Sequence, residues 1–125
     1  MIYIGMCWNV EFYPLFAEEF LEFSEVVQDA LLAEVRMLEK YAPQLNRPHV
    51  DTLNGSKHKN MKELRFTADN GVWRTAFAFA TQRQAILLVA GDKSGISDKR
   101  FYKQLINKAD KRFDNHLISL EEKDQ

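Results

Sequence analysis

The chain has 125 residues, is 46% hydrophobic and carries fifteen aromatic side chains, so it has the length of one domain and can build a core without cross-links. Its one cysteine, Cys7, excludes an internal disulfide and a cysteine-based zinc site, and no apolar run approaches the ~20 residues of a membrane span. The net charge of −1 hides an asymmetry: residues 1–43 carry two Lys/Arg against eight acids, 44–113 fourteen against six, and 114–125 one against four. A basic block between acidic ends suggests a face made for polyanions, with an ordinary solvated surface as the plain alternative.

The N-terminal stretch MIYIGMCW is apolar but lacks a basic region and an h-region. No signal peptide is expected, and the expected compartment is the cytoplasm. Cys7 to Phe12 reads as a first strand, ended by Tyr13-Pro14. Leu15 to Phe23 forms a short amphipathic piece. Ser24 then suits an N-cap, with Glu25 at the positive helix end. Val27, Leu31, Val35, Leu38 and Ala42 recur at helical spacing until Pro43 stops the pattern. Residues 44–60 have loop chemistry. Met61 to Phe66 and Val72 to Ala80 read as strands joined by a hairpin turn containing Asn70-Gly71. Thr81 to Gln84 is a second turn, and the continuous apolar run Ala85 to Ala90 is expected inside the sheet, covered on both faces. Gly91 to Ser97 is a loop. A last helix starts near Asp98 with Ser97 as N-cap, burying Phe101, Leu105, Ala109, Phe113 and Leu117, and fraying after Leu120. The order β-αα-βββ-α predicts an α+β domain over residues 1–125, with a small, mainly antiparallel sheet, a core from about 7 to 118 and mobile ends.

Strand parity singles out two arginines. Leu64 and Phe66 share a face, so Arg65 points the other way; Trp73, Phe77 and Phe79 share a face, so Arg74 lies opposite, in line with Ala76 and Ala78. If the aromatic faces form the core, Arg65 and Arg74 meet on a shallow outer face and can cradle a phosphate. The plain alternative is that both pair with Glu63. Lys93, on a glycine-flanked loop past the last strand, can reach that face, although it lacks a P-loop frame. Lys57, His58, Lys59 and Lys62 form a second cationic cluster, in which His58 is the best-placed proton carrier; His49 and His116 have weaker claims. Lys99, Arg100 and Lys103 flank Tyr102 on the last helix, where the tyrosine can contact a base or pack against the core. No His/Asp/Glu spacing suggests a metal, and no cofactor is expected. A cationic, hydrogen-bond-rich surface suits cleavage of RNA by its own 2′-hydroxyl.

The run from Arg47-Pro48-His49 through Leu53-Asn54-Gly55-Ser56, then Glu63-Leu64-Arg65, Trp73-Arg74, Gly91-Asp92-Lys93 and Phe101-Tyr102, resembles phage-derived HigB-type members of the RelE superfamily from about Trp8 to Leu117. The resemblance implies a RelE-like fold and an endoribonuclease toxin that cuts mRNA, often on the ribosome. It also implies a cognate antitoxin, commonly a helix-turn-helix protein, through which alone the toxin meets operator DNA. Arg74 matches the family's phosphate-binding arginine, Lys93 the basic residue after the glycine that ends the last strand, and Tyr102 the aromatic that completes some sites. One departure is that Met61 and Glu63 flank Lys62 where better-known members alternate lysines; Lys57, His58 or Lys59 can supply that charge. Residues 1–5 extend past the usual start, which leaves Met6 beside Met1 as initiator. Two rival readings stay open: a non-catalytic module that binds RNA, ribosome or antitoxin, and, with less support, a DNA-binding repressor.

Overall fold

The computed structural model describes residues 7–123, so the choice between Met1 and Met6 falls outside them. The elements are β1 (Asn9–Phe12), α1 (Pro14–Leu21), α2 (Glu25–Tyr41), β2 (Val50–Thr52), β3 (Met61–Ala68), β4 (Gly71–Ala80), β5 (Gln84–Asp92) and α3 (Asp98–Lys123). They form one five-stranded sheet in the order β1-β5-β4-β3-β2, in which β1 runs parallel to β5 and the other pairs are antiparallel. The expected α+β class and element order hold, with one addition. β2 lies inside what reads as loop in sequence, because three residues at a sheet edge show no periodicity.

Local chemistry explains the helix ends. Pro14 opens α1, where its fixed φ suits the first turn and its missing N–H costs nothing. Ser24 Oγ accepts from Val27 N at 3.3 Å at the start of α2, and Ser97 Oγ accepts from Arg100 N at 3.3 Å at the start of α3. α3 continues as helix to Lys123, past the expected fraying point. Its buried stripe is Phe101, Leu105, Ala109 and Phe113, while the expected next member, Leu117, is 37% exposed.

Both faces of the sheet are covered. Phe16, Leu31 and Leu38 from α1 and α2 pack with Leu64, Phe77 and Leu87 on one face. Phe101, Leu105 and Phe113 from α3 pack with Met61, Ala76 and Ala78 on the other. The parity reading therefore assigns the faces correctly, but the alanine face is not a shallow outer surface. Small side chains there seat α3, and each large apolar residue buried on them contributes about 1.5–3 kcal/mol. β5 lies between β1 and β4, covered on both sides as its apolar run predicts.

Ala76 pairs with Val89 while Phe77 pairs with Leu87, so Leu88 is an extra residue in β5. Such a bulge turns two consecutive side chains, Leu88 and Val89, toward α3. The Leu88 carbonyl accepts from Arg112 Nη1 at 2.7 Å. Arg112 also grips Glu19 of α1 through two bonds, Nη1 to Oε1 at 2.9 Å and Nη2 to Oε2 at 2.6 Å. One guanidinium thus joins α1, β5 and α3.

The β3–β4 turn is shifted by one residue from the sequence reading. Asp69 (φ 51°) and Asn70 (φ 62°) occupy the two left-handed positions, and Gly71 already pairs with Ala68. Gly71 is required for a different reason: a Cβ there would lie 2.7 Å from both Asp92 Oδ2 and Trp73 Nε1. Gly71→Ala should lower stability by about 1 kcal/mol, read as a reduced thermal midpoint. An unchanged midpoint would show that Asp92 and Trp73 yield freely.

Candidate functional site

Arg65 on β3 and Arg74 on β4 are direct cross-strand partners, so the expected pairing of the two guanidinium groups holds. Their surroundings differ from the expectation. Arg74 is 6% exposed, at the edge of the area covered by α3, and Glu63 is 3% exposed on the same face. Glu63 Oε2 accepts from Arg65 Nη1 at 2.8 Å, and Glu63 Oε1 accepts from the Tyr102 hydroxyl at 2.8 Å. Tyr102 in turn accepts from Arg74 Nε at 3.2 Å, while Arg74 Nη1 is tied to the Trp73 carbonyl at 2.9 Å. The sheet supplies Glu63, Arg65 and Arg74, and α3 lowers Tyr102 onto them with its ring against Phe101 at 5.2 Å. Burial pushes the Tyr102 phenol above its ordinary pKa; the bond to Glu63 adds to this and the bond from Arg74 opposes it. The hydroxyl therefore stays protonated through neutral pH and holds its proton toward the carboxylate.

The network opens into a cleft of about 470 Å³ lined by Arg47, Asp51, Glu63, Arg65, Lys93, Lys99 and Tyr102, among others. That volume suits a small ligand or a segment of a polymer. Lys93 reaches it from a loop that is less free than its glycines suggest. Its backbone N donates to Val72 O at 2.8 Å, and Asp92 Oδ1 accepts from both Val72 N and Ser94 N. The Ser94 hydrogen bond chiefly, with these backbone donors, holds the Asp92 carboxyl below its ordinary pKa. Lys93 Nζ contacts the exposed Asp98 carboxylate at 3.1 Å, a screened pairing that a better anion can displace.

Of the candidates from sequence, the structure thus brings together Arg65, Arg74, Lys93, Tyr102 and Lys99. Arg100 and Lys103 are exposed on α3 and do not line the cleft. Lys62 lies on the opposite face, bonded to Thr52 Oγ1 at 2.9 Å and bordering a separate pocket with Phe79. Lys59 is exposed away from the network.

His58 lies apart from the Glu63–Tyr102 network. Its Nε2 lies 2.9 Å from Asp114 Oδ1 and its ring sits edge-on to Phe113 at 4.9 Å. These helix positions are roughly 16–18 Å along α3 from Tyr102 at 1.5 Å per residue. Lys57 shares Asp114, and Ser56 bonds Asp110 at 2.5 Å, so the 56–58 segment fastens the loop to α3. The lysines next to His58 in sequence are not what faces its ring; a carboxylate from the last helix is. Asp110 and Asp114, four apart on one helical face, are the signal that sequence reading passed over.

Glu63 and Arg47 are the other residues it missed as site members. Glu63 was legible as a strand residue on the Arg65 face. Arg47 projects from the loop before β2, 67% exposed, with Nε and Nη2 both donating to Asp51 Oδ2 at 2.9 and 2.7 Å.

This arrangement, a mostly antiparallel sheet with two helices on one face and a C-terminal helix closing a cationic cleft on the other, defines a RelE-like fold. The E. coli toxin RelE, solved as an arginine double mutant in the free state, superimposes with a TM-score of 0.60 over 86% of this chain and 98% of that one, at 12% identity. Residues 18–114 match the family described as phage derived protein Gp49-like (DUF891), and the chain belongs to that family. Among its relatives in Mycobacterium tuberculosis are the putative toxin HigB2, 42% identical over 95 residues, and the putative toxin HigB3, 48% identical over 85. The alignments take in 75% and 68% of this chain, but 47% of HigB2 and 72% of HigB3, so the chain spans about half the length of the first. The expected placement in the RelE/HigB superfamily therefore holds.

Proposed function

We propose that the chain is the toxin of a toxin–antitoxin pair and cleaves mRNA at the cleft between β3, β4 and α3. The observation that carries this reading is the run of hydrogen bonds from Arg65 to Glu63 to Tyr102 to Arg74, in which Arg65, Glu63 and Tyr102 line a cationic cleft and Arg74 borders it from the neighbouring hollow. A carboxylate, a phenol and two guanidinium groups within one hydrogen-bonded run support that reading.

In this mechanism the scissile phosphate binds Arg65 and Arg74, drawing Arg65 away from Glu63. Glu63 takes the proton of the 2′-hydroxyl as that oxygen attacks phosphorus. The P–O5′ bond breaks, and Tyr102 gives its proton to the leaving 5′-oxygen, with Arg74 Nε stabilising the phenolate. Glu63 then returns its proton to Tyr102 across their hydrogen bond. A 2′,3′-cyclic phosphate and a 5′-hydroxyl result, and the protein ends as it began, with no metal or cofactor invoked. Lys93 neutralises the charge that grows on the phosphorane oxygens. Lys99 holds flanking phosphates at the cleft, and exposed Arg100, Lys103, Lys57 and Lys59, with half-buried Lys62, contribute to the wider field that attracts RNA. The cellular setting is the cytoplasm, with mRNA taken during translation on the ribosome. A cognate helix-turn-helix antitoxin keeps the protein inactive and carries it to operator DNA. Among the described residues no helix is long and apolar enough to cross a membrane.

The second reading, a binding module without chemistry, also has an observation in its favour. Glu63 already fills donors that a phosphate would need. Pulsed expression followed by genome-wide mapping of RNA 5′ ends separates the two. Arg74→Ala removes a member of a buried network and tests fold and function at once, so Tyr102→Phe, which keeps the ring packing, is the cleaner variant. Growth arrest with new cuts inside coding regions is expected for wild type, and both should fall about 10²-fold or more in Tyr102→Phe. Arrest without cuts would instead establish the binding module.

A further inference from the structure

Beside the reaction cleft lies a second hollow, of about 570 Å³, lined by Arg47, Pro48, Arg65, Thr67, Val72 and Arg74, with the edge of Phe66. The two share Arg47 and Arg65, so Arg65 forms the ridge between them and Arg47 overhangs both from the β2 side. Their electrostatics differ. The reaction cleft balances its cations with Asp51, Glu63 and Asp98. The second hollow has three guanidinium groups and no carboxylate on its lining, over apolar walls from Pro48 and Val72. Arg47 Nη1, Arg65 Nη2 and Arg74 Nη2 have no hydrogen-bond partner among the described residues. Three under-used donors around an apolar floor match a phosphodiester with its sugar and base.

We propose that this arginine-lined shelf binds the nucleotide next to the scissile phosphate, and that Arg47 is a movable clamp which exchanges Asp51 for that nucleotide's phosphate. The inference rests on the RNA-cleaving reading and adds a subsite and a residue to it. Arg47 is suited to exchange because its partner is exposed: the pair is 67% and 35% exposed, in a setting where an ion pair contributes little and is easily displaced. Arg65 and Arg74 are anchored by Glu63, Tyr102 and Trp73, and so form the fixed wall against which the clamp closes. Asp51 holds Arg47 at the mouth of both hollows while no RNA is present.

The test uses the full-length protein and a single-stranded RNA hexamer with every 2′-hydroxyl methylated, which binds but cannot be cut. Affinity is followed by fluorescence anisotropy over a salt series. Each phosphate neutralised on a single strand contributes about 0.7 to the slope of log K against log salt. Arg47→Ala should flatten the slope by about 0.7 and weaken binding about 10-fold at low salt. Asp51→Asn should tighten binding in the wild-type background and have a clearly smaller effect once Arg47→Ala is present, since only the charge it lends the cleft is then removed. Arg65→Ala is the comparison. If it weakens binding while Arg47→Ala changes neither slope nor affinity, the clamp is overturned and the RNA reading stands. If wild type shows no salt-dependent binding to the hexamer, the RNA reading fails and the clamp with it.

Discussion

Glu63→Gln is expected to slow mRNA cleavage by about 10²–10⁴-fold without unfolding the protein. The substitution preserves shape and keeps an acceptor for the Tyr102 hydroxyl, now at 2.8 Å from a carboxylate oxygen. It removes the group assigned to take the 2′-hydroxyl proton and the group that returns a proton to Tyr102. The result has a useful sign. If Glu63 only fills the cleft, the neutral side chain releases Arg65 to phosphate, and binding and toxicity rise. Initial cleavage rates of purified wild type and variant in a translating extract decide between these outcomes. A Glu63→Gln protein as fast as wild type or faster would remove Glu63 from the chemistry.

The second large effect concerns stability. Arg112→Met keeps the apolar stem but should cost about 3 kcal/mol, because it strips the Leu88 carbonyl and Glu19 of charged hydrogen bonds. For a chain of this size that lowers the thermal midpoint by roughly 10 °C. The cost stays below that of a fully buried pair because Glu19 is 40% exposed and water screens the charge left behind. The pH dependence follows from the same contact. The hydrogen bond from Arg112 holds the Glu19 carboxyl below its ordinary pKa, against a smaller opposing effect of burial. The folded state thus binds this proton less readily than the unfolded chain does. The stabilisation is complete above the unfolded carboxylate pKa and is lost as pH falls through the folded one. Arg112→Met should therefore lie well below wild type near neutrality and converge toward it in acid. Urea titrations at several pH values measure this; a constant gap across the acid range would mean that Glu19 is not the partner that matters.

How much of this was legible in the sequence depended on what each signal encodes. Hydrophobic spacing and capping residues are local, so α2, α3, Ser24 and Ser97 could be read directly. Parity put Arg65 opposite Leu64 and placed Arg74 in line with Ala76 and Ala78. It could not say whether that face meets water, since alanine serves an open surface and a helix seat equally well. The Phe101–Phe113 stripe required such a seat, and joining those two facts would have buried Arg74 in advance. Glu63 hid behind its role as a departure from a lysine pattern, although its parity with Arg65 already placed it in the site. The contact of His58 with Asp114 was not legible because sequence neighbours say little about what a distant helix brings to a loop. Arg112 offered no signal: a bulge carbonyl that needs a donor exists only once β4 and β5 have paired.

The order of strands also governs when the cleft can exist. Asn9 of β1 finds its partner at Gln84 of β5, and Tyr102, from α3, completes a network begun at Glu63. The β3–β4–β5 meander can form from near neighbours joined by tight turns, whereas β1, with α1 and α2 behind it, must wait for contacts remote in the chain. During synthesis the arginines emerge well before the phenol that organises them. A nascent chain stopped before α3 would carry cationic strands and an uncovered apolar sheet face, but not the Glu63–Tyr102–Arg74 hydrogen-bond network. Topology alone thus delays assembly of the cleft until α3 has been made, so that under the proposed function a copy interrupted before α3 lacks Tyr102, one of the groups assigned to cleavage.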